Sequence, residues 1–550
     1  MMRPSPALPA GIAFVQPLTP VGHSLLLSFL LAALPIAIAL LMLGVLRRPA
    51  WQAALAGLAV GLAIAIGLWG MPAGLAFNSV AAGMALALVP VMWIVFSALL
   101  LYNVAVKSGR FEQFRQWMLD HLPDDRRLVL LVVAFSFGCL LEGIAGFGTP
   151  VAITSALLIG LGFPAIEALT YTLIFNTAPV AFGALGVPIT VLGAVTSMHP
   201  DTLGAMVGRQ LPIFAFLLPF YVVGMYGGLK SIAKLWPALL VSGGSFALTQ
   251  FVTSNYINYQ LTDVMSSLVS LIVTVGFLKV WQPETDPAYA VVRSQAAARG
   301  TARAGYGGWM PWIVVTVVVI AWVNLKLFLI GDTKVLWPGL NNAVFITLYH
   351  KPYMALWDVQ PLGTGTAILL ATLITAVWTR TGLRDLFGCV VRTWQQTWLA
   401  ILTVMMIIGL AFLLNYSGMS YTLGLGVASV GVLFPLVSAF LGWVAVFLSG
   451  SDTSGNALFG NLQVVAARQL HLSPVLMAAT NSSGGVMGKM ISPQNIATGV
   501  TTTQLKGKEG VVFARTFWHS VLLTALLGLL VLLQQYVMPW MIPALPLVHH

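Results

Sequence analysis

Apolar stretches long enough to cross a membrane recur along the whole chain and constrain its fold more than any other feature. Clear examples lie at 24–46, 79–106, 211–229, 311–330 and 516–536. A spanning helix needs about 20 such residues, and no large soluble domain fits between the stretches. The composition agrees, because only 7% of the residues are charged, against roughly 25% in a soluble domain. The sequence therefore predicts an all-α polytopic membrane protein.

Basic residues are distributed unevenly along the chain. Nineteen of the 26 Lys and Arg residues fall into clusters at 47–48, 107–127, 230–234, 279–303, 380–392 and 506–515. Cytoplasmic loops are enriched in Lys and Arg, so we place these clusters inside and both termini outside. An even number of crossings follows, and we predict about 12 transmembrane helices plus two segments that enter the membrane and return. The net charge of +11 is then explained by topology, with no need for a nucleic-acid partner.

Residues for cofactor or metal chemistry are sparse. The chain has two cysteines, Cys139 and Cys389, and its eight histidines lack metal-ligand spacing. A disulfide framework and a metal cluster both need more than this. We therefore predict no cofactor, no metal and no enzymatic activity.

Three acidic residues, Glu142, Glu167 and Asp452, lie within apolar stretches instead of loops. An ionisable side chain at membrane depth costs at least ~2.5 kcal/mol, so it usually faces a protein interior or a wet cavity and marks a transport pathway. The alternative is a neutral, hydrogen-bonded carboxyl that holds two helices together. That alternative is favoured for Glu167, which follows Pro164 closely.

Helix-breaking segments occur as two matching pairs. "EGIAGFGTP" (142–150) is followed by "FNTAPVAFGALGVP" (175–188), and "SGSDTSGN" (449–456) by "TNSSGGVMGKMISP" (480–493). The spacing from Gly146 to Asn176 is 30 residues, as is that from Ser451 to Asn481. Unwound backbone survives in a membrane only where protein or a cavity surrounds it. Interrupted segments paired between two halves point to the binding site of a secondary transporter.

These signals predict two inverted repeats, each with a re-entrant hairpin whose tip faces a polar cavity. The expected boundaries are 1–106 for N-terminal scaffold helices, 107–281 for the first repeat with its hairpin near 128–163, 282–310 for a cytoplasmic linker, 311–379 for further scaffold helices, 380–510 for the second repeat with its hairpin near 435–470, and 511–550 for a C-terminal helix.

Hydroxyl and amide side chains surround the predicted tips. Helix N-termini pointing at the membrane centre favour an anion, and the scarcity of aromatic residues favours a small one. Lys489 is the one fixed cation for a carboxylate, although it has equal claim as a structural partner of Glu142 or Asp452. The predicted substrate-binding residues are Thr149, Asn176, Thr177, Ser451, Thr453, Ser454, Asn456, Asn481, Ser482, Ser483 and Lys489.

Four motifs in this order resemble the lactate permease family of bacterial carriers: "LLEGIAGFGTPVAI", "FNTAPVAFGALGVPI", "GSDTSGNALFGNLQ" and "TNSSGGVMGKMISPQNIATG". The resemblance implies a multi-pass protein of the bacterial inner membrane that takes up L-lactate, and also D-lactate and glycolate, with protons. The family is grouped with the ion-transporter superfamily, whose divalent-anion/sodium symporters move by an elevator mechanism. Neither break reads Ser-Asn-Thr, the substrate motif of those symporters, and this departure favours H⁺ over Na⁺.

Alternatives to this interpretation stay open. A sodium-coupled carrier of another small carboxylate and an anion channel would use the same cavity, and a homodimer is an alternative to a monomer. For proton coupling, Glu142 is the first choice and Asp452 the second. Burial at a tip disfavours the carboxylate, and a neutral Glu142 would no longer repel an incoming anion. Proton and substrate would then favour each other's binding, as symport requires.

Overall fold

Helices make up most of the computed structural model, which describes residues 11–144, 146, 149–284, 286–291, 305–502, 505 and 507–544. The α-helices are Leu25–Gly44, Ala50–Gly67, Ala73–Leu86, Trp93–Lys107, Arg110–Asp120, Arg126–Val129, Gly138–Ile144, Thr149–Gly160, Ala165–Phe175, Gly183–Thr196, Pro200–Val207, Leu211–Val252, Thr262–Val280, Met310–Asn324, Thr364–Trp378, Leu383–Ser417, Met419–Ala428, Phe434–Ser449, Asp452–Gln469, Pro474–Lys489, Pro493–Thr502 and Glu509–Tyr536.

Many of these helices are suited to a membrane. Within the described residues, ten helical segments are long and apolar enough to cross one, or eleven if a bent pair is counted as a single span. Two further apolar helices, Pro150–Gly160 and Thr364–Trp378, are shorter. The protein is therefore a multi-pass membrane protein, as the sequence predicted.

The longest of these segments, Pro200–Ile257, reverses direction near its middle. Its 58 residues would measure about 87 Å as a straight helix, at 1.5 Å per residue. Gly228 has φ +72° and ψ 179°, which only glycine adopts readily. The helical arms before and after Gly228 pack side by side. They are so close at Gly243 that a β-carbon there would meet the backbone of Phe216.

In the first half, the predicted hairpin consists of two packed helices, and we name it the first hairpin. Its arms are Arg126–Ile144 and Thr149–Gly160, and the far ends of the arms meet where the Arg126 guanidinium donates to the Gly162 carbonyl at 3.0 Å. The tip residues 145, 147 and 148 lie outside the described residues. Next along the chain, Ala165–Phe175 and Val180–Thr196 form a pair bent by 64°.

In the second half, Phe434–Ser449 and Asp452–Gln469 form the second hairpin, with the break at Gly450 and Ser451. Ser438 on one arm bonds Gln463 on the other. The following helix, Pro474–Lys489, is named the partner helix. It runs without interruption to Lys489, so the predicted break at 480–493 is wrong for its first ten residues and is confined to 490–492.

The reason for that uninterrupted helix is tight packing between the partner helix and the second hairpin. A β-carbon built on Gly442 would overlap the carbonyl of Asn481, and one built on Gly484 would overlap the carbonyl of Ala439. Two helices that approach this closely each need their regular backbone hydrogen bonds, because neighbouring helices leave no room for water. The helix therefore ends only at 490–492, in the last part of the predicted segment.

In the described part of the chain, five short strands depart from the predicted all-α fold. They are β1 (Phe14–Val15), β2 (Thr333–Leu336), β3 (Val344–Ile346), β4 (Lys351–Pro352) and β5 (Leu356–Val359). β1 pairs in parallel with β3, β3 pairs with β4, and β2 pairs with β5. β2 to β5 lie in the loop between the helices Met310–Asn324 and Thr364–Trp378, on the predicted outer side, and β1 joins them from near the N-terminus. Of the predicted cytoplasmic linker, 282–310, residues 285 and 292–304 lie outside the described residues.

Candidate functional site

Glu142 and Lys489 form a buried ion pair that joins the two halves. The Lys489 ammonium lies 2.6 Å from Glu142 Oε1, and the exposed fractions of the two side chains are 9% and 3%. Asn176 donates its side-chain amide to the other oxygen, Glu142 Oε2, at 3.0 Å. Both oxygens of the Glu142 carboxylate are therefore satisfied. Of the two roles left open for Lys489, the structure shows the contact with Glu142, and the role in substrate binding stays a prediction.

A left-handed turn at the start of the helix Gly183–Thr196 lies against this ion pair. Ala184, Leu185 and Gly186 all have positive φ, at 46°, 59° and 75°. Such a conformation is costly for residues with a β-carbon and is retained mostly where the surroundings enforce it. Just before the turn, a β-carbon on Gly183 would lie 3.0 Å from Glu142 Oε1. The turn thus brings bare backbone against the Glu142 carboxylate.

Asp452 lies at the break of the second hairpin, where the helix Asp452–Gln469 begins. Its Oδ2 atom accepts from Ser482 Oγ at 2.5 Å and from Asn456 Nδ2 at 3.3 Å. Its Oδ1 atom is buried and has no hydrogen-bond partner within the described part of the chain. That oxygen faces Gly485 of the partner helix, so no side chain there covers it.

A chain of amide side chains continues from Asp452 into the protein. Asn481 donates to Asn456 Oδ1 at 2.9 Å and accepts from Gln463 Nε2 at 2.7 Å. Asn456 in turn donates to the carbonyl of Pro188 at 3.1 Å, which belongs to the first half. Asn481 is fully buried and contributes to the link between hairpin and partner helix.

Gln210 is a site neighbour that the sequence analysis missed. Its side-chain nitrogen donates to Thr480 Oγ1 and Gln534 Oε1, and its oxygen accepts from Ser483 at 2.7 Å. Ser483 therefore faces Gln210, just before the helix Leu211–Val252, whereas the neighbouring Ser482 faces Asp452. A lone glutamine ahead of a long apolar run gave no sequence signal beyond its polarity.

The remaining predicted residues are less involved. Thr177 is buried and bonds only the backbone of Ile174 among the contacts of the described residues. Ser451 caps the helix that follows, with its Oγ accepting from Ser454 N at 3.4 Å, and Thr453 is half-buried beside it. The side chain of Thr149 lies outside the described residues. Glu167 lies at a helix start, 3.9 Å from Arg515 and partly exposed, away from the ion pair.

Asp263 is a second buried neighbour of the site that was not among the predicted site residues. It lies in the first turn of the helix Thr262–Val280 and has no exposed surface. The signal available in the sequence was its position directly before the apolar run 264–280, which places a charge at the edge of hydrocarbon.

The site as a whole holds three buried carboxyls and one buried ammonium. Glu142, Asp263 and Asp452 all interact electrostatically with Lys489 or with one another. With all three carboxyls ionised, the cluster would have a net charge of −2 in a buried site, which is costly unless the charges are compensated. Within the described residues, no group of three or more His, Cys, Asp and Glu side chains is arranged to hold a metal ion.

Comparison with known proteins gives the chain a family. A family profile described as L-lactate permease matches residues 28–538. Glycolate permease GlcA of Escherichia coli (strain K12) is 42% identical over 562 residues, covering 96% of this chain and 100% of that protein. L-lactate permease of Bacillus subtilis (strain 168) is 40% identical, with 96% and 100% covered, and that of Escherichia coli (strain K12) is 41% identical, with 94% and 97% covered. The resemblance carried by the four motifs is confirmed: the chain belongs to the L-lactate permease family.

Proposed function

We propose that this protein is a secondary transporter that takes up L-lactate or glycolate together with protons across the bacterial inner membrane. The observation that carries the proposal is the Glu142–Lys489 pair, in which the buried cation of the site is occupied by an internal carboxylate. The named activities of relatives at about 40% identity support the substrate class. D-Lactate differs from L-lactate only in chirality and is included as a substrate to be tested.

Competition for Lys489 gives a coupling mechanism. A lactate carboxylate that binds the Lys489 ammonium displaces Glu142, which would then be a buried, uncompensated charge. Binding a proton removes that charge, so a proton on Glu142 and lactate on Lys489 each make the other's binding more favourable. This reciprocity is the thermodynamic requirement for symport. Asp452 is the second candidate for the proton, because its Oδ1 atom is buried without a partner among the described residues.

Polar groups near the ion pair suit the hydroxyl of a 2-hydroxy acid. Asn176 loses its acceptor when Glu142 is displaced, and its amide is then free to bond the substrate. In the second half, Ser482 and Asn456 surround Asp452. We propose that these side chains, with Asn481, Ser483 and the predicted hydroxyls of the hairpin breaks, form the substrate cavity.

We also propose two inverted repeats with about 12 crossings, two re-entrant hairpins and elevator movement of the hairpins against a scaffold. Support comes from the meeting of the first hairpin's ends at Arg126 and Gly162, which returns the chain to the side it left. Further support is the reversal at Gly228, which allows Pro200–Ile257 to cross twice. The domain boundaries given above, 107–281 and 380–510 for the two repeats, follow from this proposal.

The proposal is tested with purified protein in proteoliposomes and radiolabelled L-lactate. We expect accumulation above equilibrium when an inward pH gradient is imposed and no accumulation with a sodium gradient at equal pH. Uphill counterflow driven by unlabelled lactate is expected for a carrier and absent for a channel. Accumulation driven by sodium alone would transfer the proposal to the sodium-coupled alternative.

Glu142→Gln tests the coupling residue. The amide imitates the neutral carboxyl, so lactate exchange should persist while accumulation driven by a pH gradient is lost. Asp201→Asn, at a surface-exposed carboxyl near His199, is the matched control and should accumulate lactate like the unmodified protein. If Glu142→Gln still concentrates lactate, the coupling role belongs elsewhere in the cluster.

A further inference from the structure

Asp263 is buried without a hydrogen bond. The residue has 0% relative exposure, and neither Oδ1 nor Oδ2 has a hydrogen-bond partner in the part of the chain that the structure describes. An ionised carboxylate in such a place would lose its hydration without compensation, at a cost of several kcal/mol. The geometry alone thus favours the protonated acid.

Asp263 packs against Gly143, the residue that follows Glu142 in the first hairpin. A β-carbon built on Gly143 would lie 2.7 Å from the β-carbon of Asp263. Any larger residue at 143 would therefore push the helix Thr262–Val280 away from the first hairpin. The Asp263 carboxyl interacts electrostatically with Glu142 and Lys489, so it is part of the same cluster.

The three carboxyls of the cluster differ in their hydrogen-bond and ion-pair partners. Glu142 has the ammonium and the Asn176 amide, and Asp452 has two donors on one oxygen. Asp263 has none among the described residues. Since the Lys489 charge is compensated at 2.6 Å by Glu142, Asp263 is the carboxyl of the three whose ionised form has the least compensation.

Asp263 also lies near the side from which the substrate enters. Three residues before it, Gln260 accepts from Thr364 Oγ1 at 2.6 Å, and Thr364 begins the helix that follows the outer strands. Asp263 is therefore about one helical turn inside the predicted outer face, whereas 16 residues separate it from Lys279 near the cytoplasmic end of the same helix.

We propose that Asp263 is the proton store of the transport site and that it passes its proton to Glu142 when a substrate carboxylate displaces Glu142 from Lys489. The O–H bond on Asp263 breaks and an O–H bond forms on Glu142. Asp263 then regains a proton from the outer aqueous phase, and Glu142 releases its own inward when lactate leaves and the ion pair forms again. One proton thus enters with each lactate. This inference rests on the proposed function for the transport step but not for the protonation of Asp263.

Few other ionisable groups face Asp263 from the helices packed against it. Glu142 and the thiol Cys139 belong to the first hairpin, and Lys489 belongs to the partner helix. Tyr259, in the segment just before Asp263, has its hydroxyl engaged by Thr190 at 2.9 Å. Among these groups, Glu142 is the carboxylate able to receive a proton.

Infrared spectroscopy tests the protonation directly, without any transport. At pH 7 we expect the unmodified protein to show a carboxylic acid C=O stretching band that is absent from Asp263→Asn. Asp201→Asn is the control and should retain the band. A spectrum in which Asp263→Asn loses only a carboxylate band would overturn the proposal, whatever substrate the protein carries.

Transport of L-lactate in proteoliposomes tests the relay. Asp263→Asn should accumulate lactate under a pH gradient roughly tenfold more slowly than the unmodified protein, a change of about 1.4 kcal/mol in barrier, and should exchange lactate slowly as well. Adding Glu142→Gln removes the need for a proton, so the double variant should recover the exchange rate of Glu142→Gln alone. That recovery cannot arise if Asp263 only supports the fold.

Two results would refute the relay. One is normal accumulation by Asp263→Asn, and the other is a double variant that exchanges lactate no faster than Asp263→Asn. If the unmodified protein itself fails to accumulate lactate, the proposed function is wrong, and the infrared result alone then decides the state of Asp263.

Discussion

Replacing Lys489 by methionine should destabilise the protein by an amount that depends on pH. The change removes the ammonium 2.6 Å from Glu142 and leaves a buried carboxylate with the Asn176 amide alone. Breaking a buried pair in this way typically costs about 3–5 kcal/mol. The protein can reduce that cost by protonating the carboxyl, and protonating an ordinary glutamate at pH 7 costs ~3.7 kcal/mol, which is 2.7 pH units at 1.36 kcal/mol each.

The pH dependence has a definite sign. With Lys489 gone, the folded state binds one proton more than the unfolded state, so its stability rises as the pH falls. The same arithmetic gives a cost of only ~1 kcal/mol at pH 5. We therefore expect Lys489→Met to lower the free energy of unfolding by about 3–4 kcal/mol at pH 7 and by about 1 kcal/mol at pH 5.

A double-mutant cycle completes the test. Lys489→Met combined with Glu142→Gln removes both charges, so it should cost about 1 kcal/mol or less and be insensitive to pH. Denaturant unfolding in detergent, followed by tryptophan fluorescence, measures all four proteins. Lys334→Met, at an exposed lysine in β2, is the control and should change stability by less than about 0.5 kcal/mol. Equal losses at pH 5 and pH 7, or single effects that simply add, would refute the ion-pair reasoning.

Two further predictions concern close helix packing and a second buried ion pair. Gly484→Ala should destabilise the protein by about 1–3 kcal/mol, because the added β-carbon would overlap the Ala439 carbonyl. Gly276 has open space around it, so the control Gly276→Ala should be neutral or stabilising. An equal loss of stability in both variants would contradict the packing argument. Arg127→Met should lower the free energy of unfolding by about 3–5 kcal/mol, because the Arg127 and Asp125 side chains are buried 2.6 Å apart. Adding Asp125→Asn should restore most of that loss. Denaturant unfolding in detergent measures the glycine variants and the ion-pair variants alike.

The sequence patterns located the hairpin breaks and the buried ionisable residues, but they did not predict which side chains contact one another. Glu142 and Asp452 stood out because charges are rare in apolar runs, and each lies at or beside a hairpin break. The partners of those charges could not be deduced, because a contact between residues 347 positions apart leaves no local trace in the sequence.

The uninterrupted helix at Asn481 shows why matching motifs need not give matching backbone. The same spacing that breaks the chain at Asn176 leaves it helical at Asn481, since close approach through Gly442 and Gly484 requires regular hydrogen bonding there. Asp263 was missed for the opposite reason. Its place at the start of a helix is typical of an exposed first-turn acid, and only the tertiary packing against Gly143 buries it.

The Glu142–Lys489 pair also has a consequence for how the protein is made. Glu142 is synthesised and inserted 347 residues before its cation exists, which at 5–20 residues per second takes roughly 17–70 s. During that interval the unfinished chain has no Lys489 to compensate the Glu142 carboxyl. The ion pair can form only when Lys489 has been synthesised, so the contact between the two halves is among the last to be made.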